Sequence, residues 1–232
     1  MDMRPPPAQN PDLSVAAQAR AEAKAQLMLR LRAKGLRDLD LLRAIESIPR
    51  ETFAGGAYAE LALRDVAIPL PCGQTMESPS QLAQMLTLLA PQPHCRILEI
   101  GSGSGYSTAV LARLGRDVVG VECFQRLALE ARGRIERLRI DNVNLLWADG
   151  FDISPAIGLF DRILAHGALD RPPPNVLGAL GEGGILVAAR KTDEAPSGEI
   201  VRYSRLHGGH IEAEAFGPCR AQKLLRGLFR FD

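Results

Sequence analysis

The second half of the chain alternates short apolar runs with segments of helical spacing, and this alternation limits the folds available to it. Each run has the length of a strand, and helix-type segments separate the earlier runs. The predicted strands are residues 96–100, 117–122, 144–148, 160–165 and 185–190, and the predicted helices between them are residues 106–114 and 126–138. Strands that alternate with helices predict a mostly parallel sheet covered on both faces, which is a Rossmann-like α/β fold.

The parts on either side of this core have a different character. Proline and polar residues predominate at the N-terminus, and apolar residues then recur at helical spacing up to a break at Lys34 and Gly35. A loop-rich stretch with one helix at residues 81–89 follows. The pattern predicts a flexible tail at residues 1–11 and a single domain at 12–232. Within this domain we expect N-terminal helices at 12–48, a substrate-side lead-in at 49–94 and a cofactor-binding core at 95–232. The core is predicted to end in a C-terminal antiparallel hairpin at 199–206 and 211–215.

Composition narrows the choice of partners. The 28 basic and 27 acidic side chains leave a net charge of +1, so we expect no general attraction to nucleic acid or to an anionic membrane. No apolar stretch is long enough to span a membrane, and the first residues lack the apolar segment of a secretory signal, which predicts a cytoplasmic protein. The 4 cysteines and 4 histidines are scattered without metal-ligand spacing, so we expect reduced structural thiols and no metal site. The oligomeric state stays open.

A glycine-rich turn follows the first of the predicted parallel strands. Residues 101–105 read Gly-Ser-Gly-Ser-Gly and lie directly between a strand that contains Glu99 and the start of a helix. Glycines in such a turn let the backbone approach a ligand closely, and the helix N-terminus presents free N–H groups. The turn predicts a nucleoside-type cofactor, with Glu99 near its positively charged end. The predicted ligands in the turn are Gly101, Ser102, Gly103 and Ser104.

Acidic residues end the next two strands. Glu122, followed by Cys123, stands where an acid hydrogen-bonds both hydroxyls of a ribose in this topology. Asp149, followed by Gly150, can accept a hydrogen bond from an adenine amino group. Because the carboxyl ends of parallel strands meet in one crevice, we expect these residues to converge. The turn is G-x-G-x-G rather than the G-x-G-x-x-G of dinucleotide binders, and no phosphate-binding G-K-[ST] follows, so a cofactor without phosphate is favoured over the dinucleotide of an oxidoreductase.

Several segments together resemble one enzyme family. They include Ala44-Ile-Glu-Ser-Ile-Pro-Arg50, Gly73-Gln-Thr75, Ile97-Leu-Glu-Ile-Gly-Ser-Gly-Ser-Gly-Tyr106 and Gly181-Glu-Gly-Gly-Ile-Leu-Val187. From about Leu41 to its C-terminus the chain resembles protein-L-isoaspartate O-methyltransferases. The resemblance implies S-adenosyl-L-methionine as the cofactor and a protein or peptide as the substrate. It also implies the activity, which is methylation of the carboxyl group of isoaspartyl residues during repair of damaged proteins.

One departure from the family falls at the reaction site that the resemblance implies. The family reads Gly-Gln-Thr-Ile-Ser-x-Pro, with a serine held important for transfer, whereas this chain reads Gly73-Gln-Thr-Met-Glu-Ser-Pro79. Glu77 stands at the serine position, and with Thr75 it is the predicted catalytic-site residue. Ser78 cannot simply substitute, because successive side chains of an extended segment point to opposite sides. An ionised Glu77 about 4 Å from an acceptor carboxylate would repel it by roughly 4 kcal/mol at an effective dielectric near 20.

Three outcomes are compatible with this departure. The repulsion is relieved if Glu77 is protonated, turned away or paired with a cation, for which Arg50 and Arg64 are candidates. Otherwise the acceptor is a neutral hydroxyl or amine that uses Glu77 as a base or anchor, or the chain binds the cofactor with little turnover. His166 falls near the predicted site, and a packing or supporting role is the favoured interpretation because no partner for it is apparent.

Overall fold

The computed structural model describes residues 11–191 and 197–230. Residues 1–10, most of the predicted tail, lie outside the described residues. The two predicted N-terminal helices are confirmed as α1 (Pro11–Ala33) and α2 (Leu39–Ser47). Gly35 has a φ of 98° and ends α1 at the predicted break. Asp38 caps α2, because its carboxylate accepts hydrogen bonds from the N–H groups of Asp40 at 2.9 Å and Leu41 at 3.0 Å.

The predicted Rossmann-like sheet is confirmed. Its strands within the described residues are β3 (Arg96–Ile100), β4 (Asp117–Glu122), β5 (Val143–Trp147), β6 (Phe160–Leu169), β7 (Leu180–Arg190), β8 (Gly198–Arg205) and β9 (Ile211–Cys219). They lie in the order β5-β4-β3-β6-β7-β8-β9. The pairs from β5 to β7 are parallel, and β8 and β9 form the predicted antiparallel hairpin at the edge. The chain order reverses beside β3, so β3 and its neighbours end at the crevice where such folds bind ligands.

Helices cover both faces of this sheet. They are α3 (Pro79–Leu89), α4 (Tyr106–Leu111), α5 (Gln125–Arg137) and α6 (Pro174–Gly178). Successive residues of a strand enter opposite layers. Ile97 of β3 packs in the layer that holds α1, α2 and α3, whereas Leu98 packs in the layer that holds α6. Among the described helices, none combines the length and the apolarity that a bilayer crossing needs.

Two segments shape the carboxyl edge of the sheet. In the lead-in, β1 (Ile68–Pro69) pairs with β2 (Thr75–Met76) and places residue 77 beside the sheet. At the other end of the chain, residues 220–230, here called the C-terminal segment, run across the ends of the strands. The N–H of Ala168 in β6 donates to Gln222 O at 2.7 Å, and the N–H of Phe229 donates to Cys123 O at 2.9 Å. The sequence patterns did not predict where this segment lies.

Candidate active site

A crevice with a volume of about 1010 Å³ lies at the carboxyl edge of the sheet. The lead-in forms one wall, the glycine turn after β3 forms the floor, and the C-terminal segment forms the opposite wall. The sequence-predicted residues on its lining are Thr75, Glu77, Gly101, Ser102, Gly103, Ser104, Glu122 and Cys123. His166 lines it as well. The topology therefore brings residues from distant parts of the sequence to one opening.

The glycine turn is shaped to let a ligand approach its backbone. Gly101 and Gly103 have φ values of 81° and 53°, a region that side chains strain to adopt. A Cβ on Gly103 would lie 3.3 Å from Leu70 Cδ1, so glycine also keeps this wall apart from the turn. Ser102 Oγ is buried and makes no hydrogen bond among the described residues. Ser104 Oγ, in contrast, donates to Met76 Sδ at 3.4 Å.

Glu122 ends β4 and fixes this turn. One carboxylate oxygen accepts from Gly103 N–H at 2.8 Å, and the other accepts from Phe124 N–H at 2.9 Å. Only 4% of Glu122 is exposed, and burial raises its pKa despite these hydrogen bonds. Burial, followed by the charge of Glu122, raises the pKa of the Cys123 thiol to about 12. The thiol is therefore neutral at physiological pH, and Glu122 is the polar group that β4 presents to the crevice.

Asp149 and Gly150 follow β5 and are not among the residues that line the crevice. Asp149 accepts from the N–H of Phe151 at 2.8 Å and from the N–H of Gly227, in the C-terminal segment, at 2.7 Å. A Cβ on Gly150 would lie 2.2 Å from Ile100 Cγ2, so close packing against β3 requires glycine there. A contact between Asp149 and a nucleobase stays a prediction. It would use a lone pair of the Asp149 carboxylate that does not accept from Phe151 or Gly227.

Three ionisable side chains meet beside the glycine turn. His166 Nδ1 lies 3.2 Å from a carboxylate oxygen of Glu77, and its Nε2 lies 2.9 Å from a carboxylate oxygen of Glu99. Glu99 is fully buried behind the lining and also accepts hydrogen bonds from the hydroxyls of Ser107 and Thr108. Burial opposes ionisation of Glu99, but the hydrogen bond and charge of His166, with these hydroxyls, hold its pKa below the ordinary value.

The pKa of His166 is shifted in the opposite direction to that of Glu99. Burial by itself would lower its pKa, but the charge and hydrogen bond of Glu77, followed by those of Glu99, raise it to about 10. The favoured interpretation of His166 as a packing or supporting residue thus missed the two carboxylates that it contacts. No short-range sequence signal links these positions, because Glu77 and His166 are 89 residues apart.

Of the ways to relieve the charge of Glu77, pairing with a cation is the one present, but neither candidate, Arg50 or Arg64, is that cation. Arg50 does reach residue 77, but its guanidinium donates to the main-chain carbonyl at 2.8 Å. It also donates to the carbonyls of Ala62 at 2.8 Å and Val66 at 3.2 Å. Arg64 is exposed on the surface. Arg50 therefore organises the lead-in backbone, and the cation beside the Glu77 carboxylate is His166.

The residues on either side of Glu77 in the chain each have a structural role. Thr75 and Met76 form β2, with Thr75 exposed to the crevice and Met76 buried. Ser78 caps α3, since its hydroxyl accepts from Gln81 N–H at 3.4 Å, and Pro79 begins the helix. Ser78 also lines the crevice, but its hydroxyl is committed to the helix start, and Glu77 brings the ionisable side chain to this part of the lining.

The sequence is similar to those of a known enzyme family. A family model described as Protein-L-isoaspartate(D-aspartate) O-methyltransferase matches residues 22–220. Protein-L-isoaspartate O-methyltransferase 2 of Rhodopseudomonas palustris (strain HaA2) is 46% identical over 158 residues, which are 68% of this chain and 73% of that protein. The protein-L-isoaspartate O-methyltransferase of a Bradyrhizobium species is 42% identical over 200 residues, which are 86% of this chain and 92% of that protein.

Solved structures give the same fold. A protein-L-isoaspartate O-methyltransferase matches with a TM-score of 0.80 and 24% identity, over 89% of this chain and 67% of the other. A Plasmodium falciparum protein assigned to the same activity, in complex with S-adenosyl-L-homocysteine, matches with a TM-score of 0.75 and 22% identity, over 86% of this chain and 97% of the other. At these identities the likeness shows a shared architecture.

Proposed function

The chain belongs to the protein-L-isoaspartate(D-aspartate) O-methyltransferase family, and from that premise we propose that it methylates the free carboxylate of isoaspartyl residues in damaged proteins or peptides. The methyl donor of this family is S-adenosyl-L-methionine. The observation that carries the proposal is the crevice in which the glycine turn, Glu122 and the lead-in meet.

The residues present fit this cofactor. The positive φ values of the turn open its backbone to a ligand, and Ser102 supplies a buried hydroxyl that has no hydrogen-bond partner in the described part of the chain. Glu122 would hold the ribose hydroxyls through its remaining lone pairs. The turn itself contains no basic side chain for a phosphate, which agrees with a nucleoside that carries an amino acid tail. When bound, S-adenosyl-L-methionine supplies a methyl group on a positively charged sulfur.

The acceptor needs little chemical help from the protein. A carboxylate with an ordinary pKa near about 4 is already ionised at pH 7, so no general base is required. The chain must instead align the acceptor and exclude water. Leu70, Met76 and Leu224 supply apolar surface on the crevice walls, and Thr75 offers a hydroxyl for orientation. Alignment of the acceptor is therefore the contribution that these residues make.

One feature favours a second candidate function. Glu77 lines the crevice, and the carboxylate oxygen that does not contact His166 can accept a proton from a neutral hydroxyl or amine. A methyltransferase for such an acceptor would use Glu77 directly. The product separates the candidates, because a carboxyl methyl ester is hydrolysed by base whereas a methylamine or methyl ether is not.

The test uses the purified full chain and a pair of peptides that differ only in an isoaspartyl or a normal aspartyl linkage. We expect labelled methyl from S-adenosyl-L-methionine to enter the isoaspartyl peptide alone and to be released as volatile methanol at high pH. Base-stable label in a protein extract, with none in the isoaspartyl peptide, would favour the second candidate. Cofactor binding without transfer to either peptide or to the extract would contradict both.

A further inference from the structure

The histidine between Glu77 and Glu99 is placed so that both of its ring nitrogens serve as donors. A neutral imidazole has one donor and one acceptor nitrogen, and an ionised carboxylate can only accept. Glu99 already accepts from two hydroxyls, and it accepts from Nε2 of His166 as well. Nδ1 faces a second carboxylate, that of Glu77, at 3.2 Å. Both contacts are hydrogen bonds between ionised carboxylates and the ring when each nitrogen carries a proton.

The cluster is shielded from water, which strengthens the electrostatic interactions between its charged groups. The side chains of His166, Glu77 and Glu99 are 10%, 16% and 0% exposed. Main-chain contacts hold both ends of the Glu77–His166 pair. Arg50 binds the carbonyl of residue 77, and the glycine turn packs on His166, where a Cβ on Gly101 would lie 3.4 Å from its carbonyl oxygen. The pair is therefore a built part of the crevice wall.

An uncompensated Glu77 would conflict with the proposed acceptor. Two carboxylates about 4 Å apart at an effective dielectric near 20 repel by an amount that corresponds to roughly a thousandfold in rate. A cation at 3.2 Å from Glu77 opposes that field where the acceptor would lie, and the negative charge left over in the cluster is that of Glu99, which is fully buried behind the lining. The nearby thiol of Cys219 cannot supply a positive charge at any pH; burial and then the charge of Glu77 raise its pKa to about 11, so it adds no second negative charge.

We propose that His166 is a specificity-determining positioning residue: its imidazolium holds Glu77 against the crevice wall and neutralises it, so that a site lined by a carboxylate still receives a carboxylate acceptor. This role rests on the proposed function, which supplies the negatively charged acceptor. It makes residues 77 and 166 one functional unit. Loss of the histidine alone is harmful, whereas joint loss of the histidine and of the Glu77 charge is tolerated.

The test is a double-mutant cycle with wild-type protein, His166→Asn, Glu77→Gln and the double variant. Transfer to the isoaspartyl peptide gives kcat and KM, and melting temperature with S-adenosyl-L-homocysteine affinity reports the fold. We expect His166→Asn to lower kcat/KM by about a hundredfold or more, mainly through KM, as repulsion of this size implies. Glu77→Gln alone should change it less than about tenfold, and the double variant should recover most of the loss.

A matched control comes from the surface, where His207 pairs with Glu182 and both side chains are exposed. His207→Asn should leave every parameter unchanged. If His166→Asn melts below the assay temperature, His166→Gln replaces it. The ring itself is read by nitrogen NMR of wild-type protein at pH 8, with the exposed histidines assigned through His94→Asn, His207→Asn and His210→Asn. We expect the remaining ring, that of His166, to carry protons on both nitrogens.

The outcomes separate the two proposals. A wild-type protein that is inactive on the isoaspartyl peptide refutes the proposed function and, with it, this role. An active wild type whose double variant is no better than the His166 variant refutes this role alone. The role is equally refuted by a neutral His166 ring at pH 8, or by a Glu77→Gln variant as impaired as His166→Asn.

Discussion

Replacing Glu122 is expected to weaken binding of S-adenosyl-L-homocysteine by an amount that depends on the substitute. Its two oxygens hold the N–H groups of Gly103 at 2.8 Å and Phe124 at 2.9 Å. Glutamine offers one oxygen, so its amide N–H₂ must face one of these donors, and one charge-assisted hydrogen bond worth about 1.5–3 kcal/mol is lost. Alanine loses both and the proposed ribose contacts. We expect an affinity loss of about tenfold for Glu122→Gln and of about 2 kcal/mol or more, at least thirtyfold, for Glu122→Ala.

Calorimetric titration with S-adenosyl-L-homocysteine measures both losses directly. Glu212→Gln is the matched control, because this carboxylate is exposed on β9 and should bind the ligand like the wild type. Melting curves establish that each variant is folded before its affinity is compared. A folded Glu122→Ala protein with wild-type affinity would remove Glu122 from the cofactor site and would refute the assignment of the crevice floor.

Three further outcomes follow from the structure. Because the pKa of His166 is raised to about 10, its contribution to stability is complete below the ordinary value near 6.5 and is lost as pH rises through about 10. Chemical denaturation across pH 7–10 should therefore show a steeper fall in the free energy of unfolding for wild type than for His166→Asn. Arg50→Met leaves three main-chain carbonyls without the donor that Arg50 supplies and should lower the free energy of unfolding in urea by about 3 kcal/mol or more. The control Arg43→Met, at an exposed position, should lower it by less than about 0.5 kcal/mol. Gly150→Ala forces a methyl to 2.2 Å from a β3 side chain and should lower stability by about 1–3 kcal/mol, whereas Gly178→Ala, with open space at its Cβ, should be tolerated in the same measurement.

Local patterns were sufficient to predict the sheet but not all of its strand lengths. The five parallel strands and the hairpin appear where apolar runs predicted them, since burial on both faces requires such runs. β7 begins at Leu180 instead of residue 185, because Leu180 pairs with Phe160 of β6 before a register irregularity, and the glycines between Leu180 and Ile185 give no strand signal. β6 continues to Leu169 past a register shift between Ala165 and Ala168. Pairing with the C-terminal segment supports this extension, and a local pattern does not contain that contact.

The pairing of Glu77 shows where reasoning from charge alone reaches its limit. The sequence left open whether Glu77 is protonated, turned away or paired with a cation. Arg50 and Arg64 were the candidates for that cation. However, three main-chain carbonyls of irregular backbone also need donors, and a guanidinium with several N–H groups satisfies them better than any other side chain. Once Arg50 is committed to the backbone, the cation must come from the neighbouring sheet. Position 166 on β6 meets that need because β6 pairs directly with β3, which carries Glu99, and a histidine there reaches both carboxylates at once.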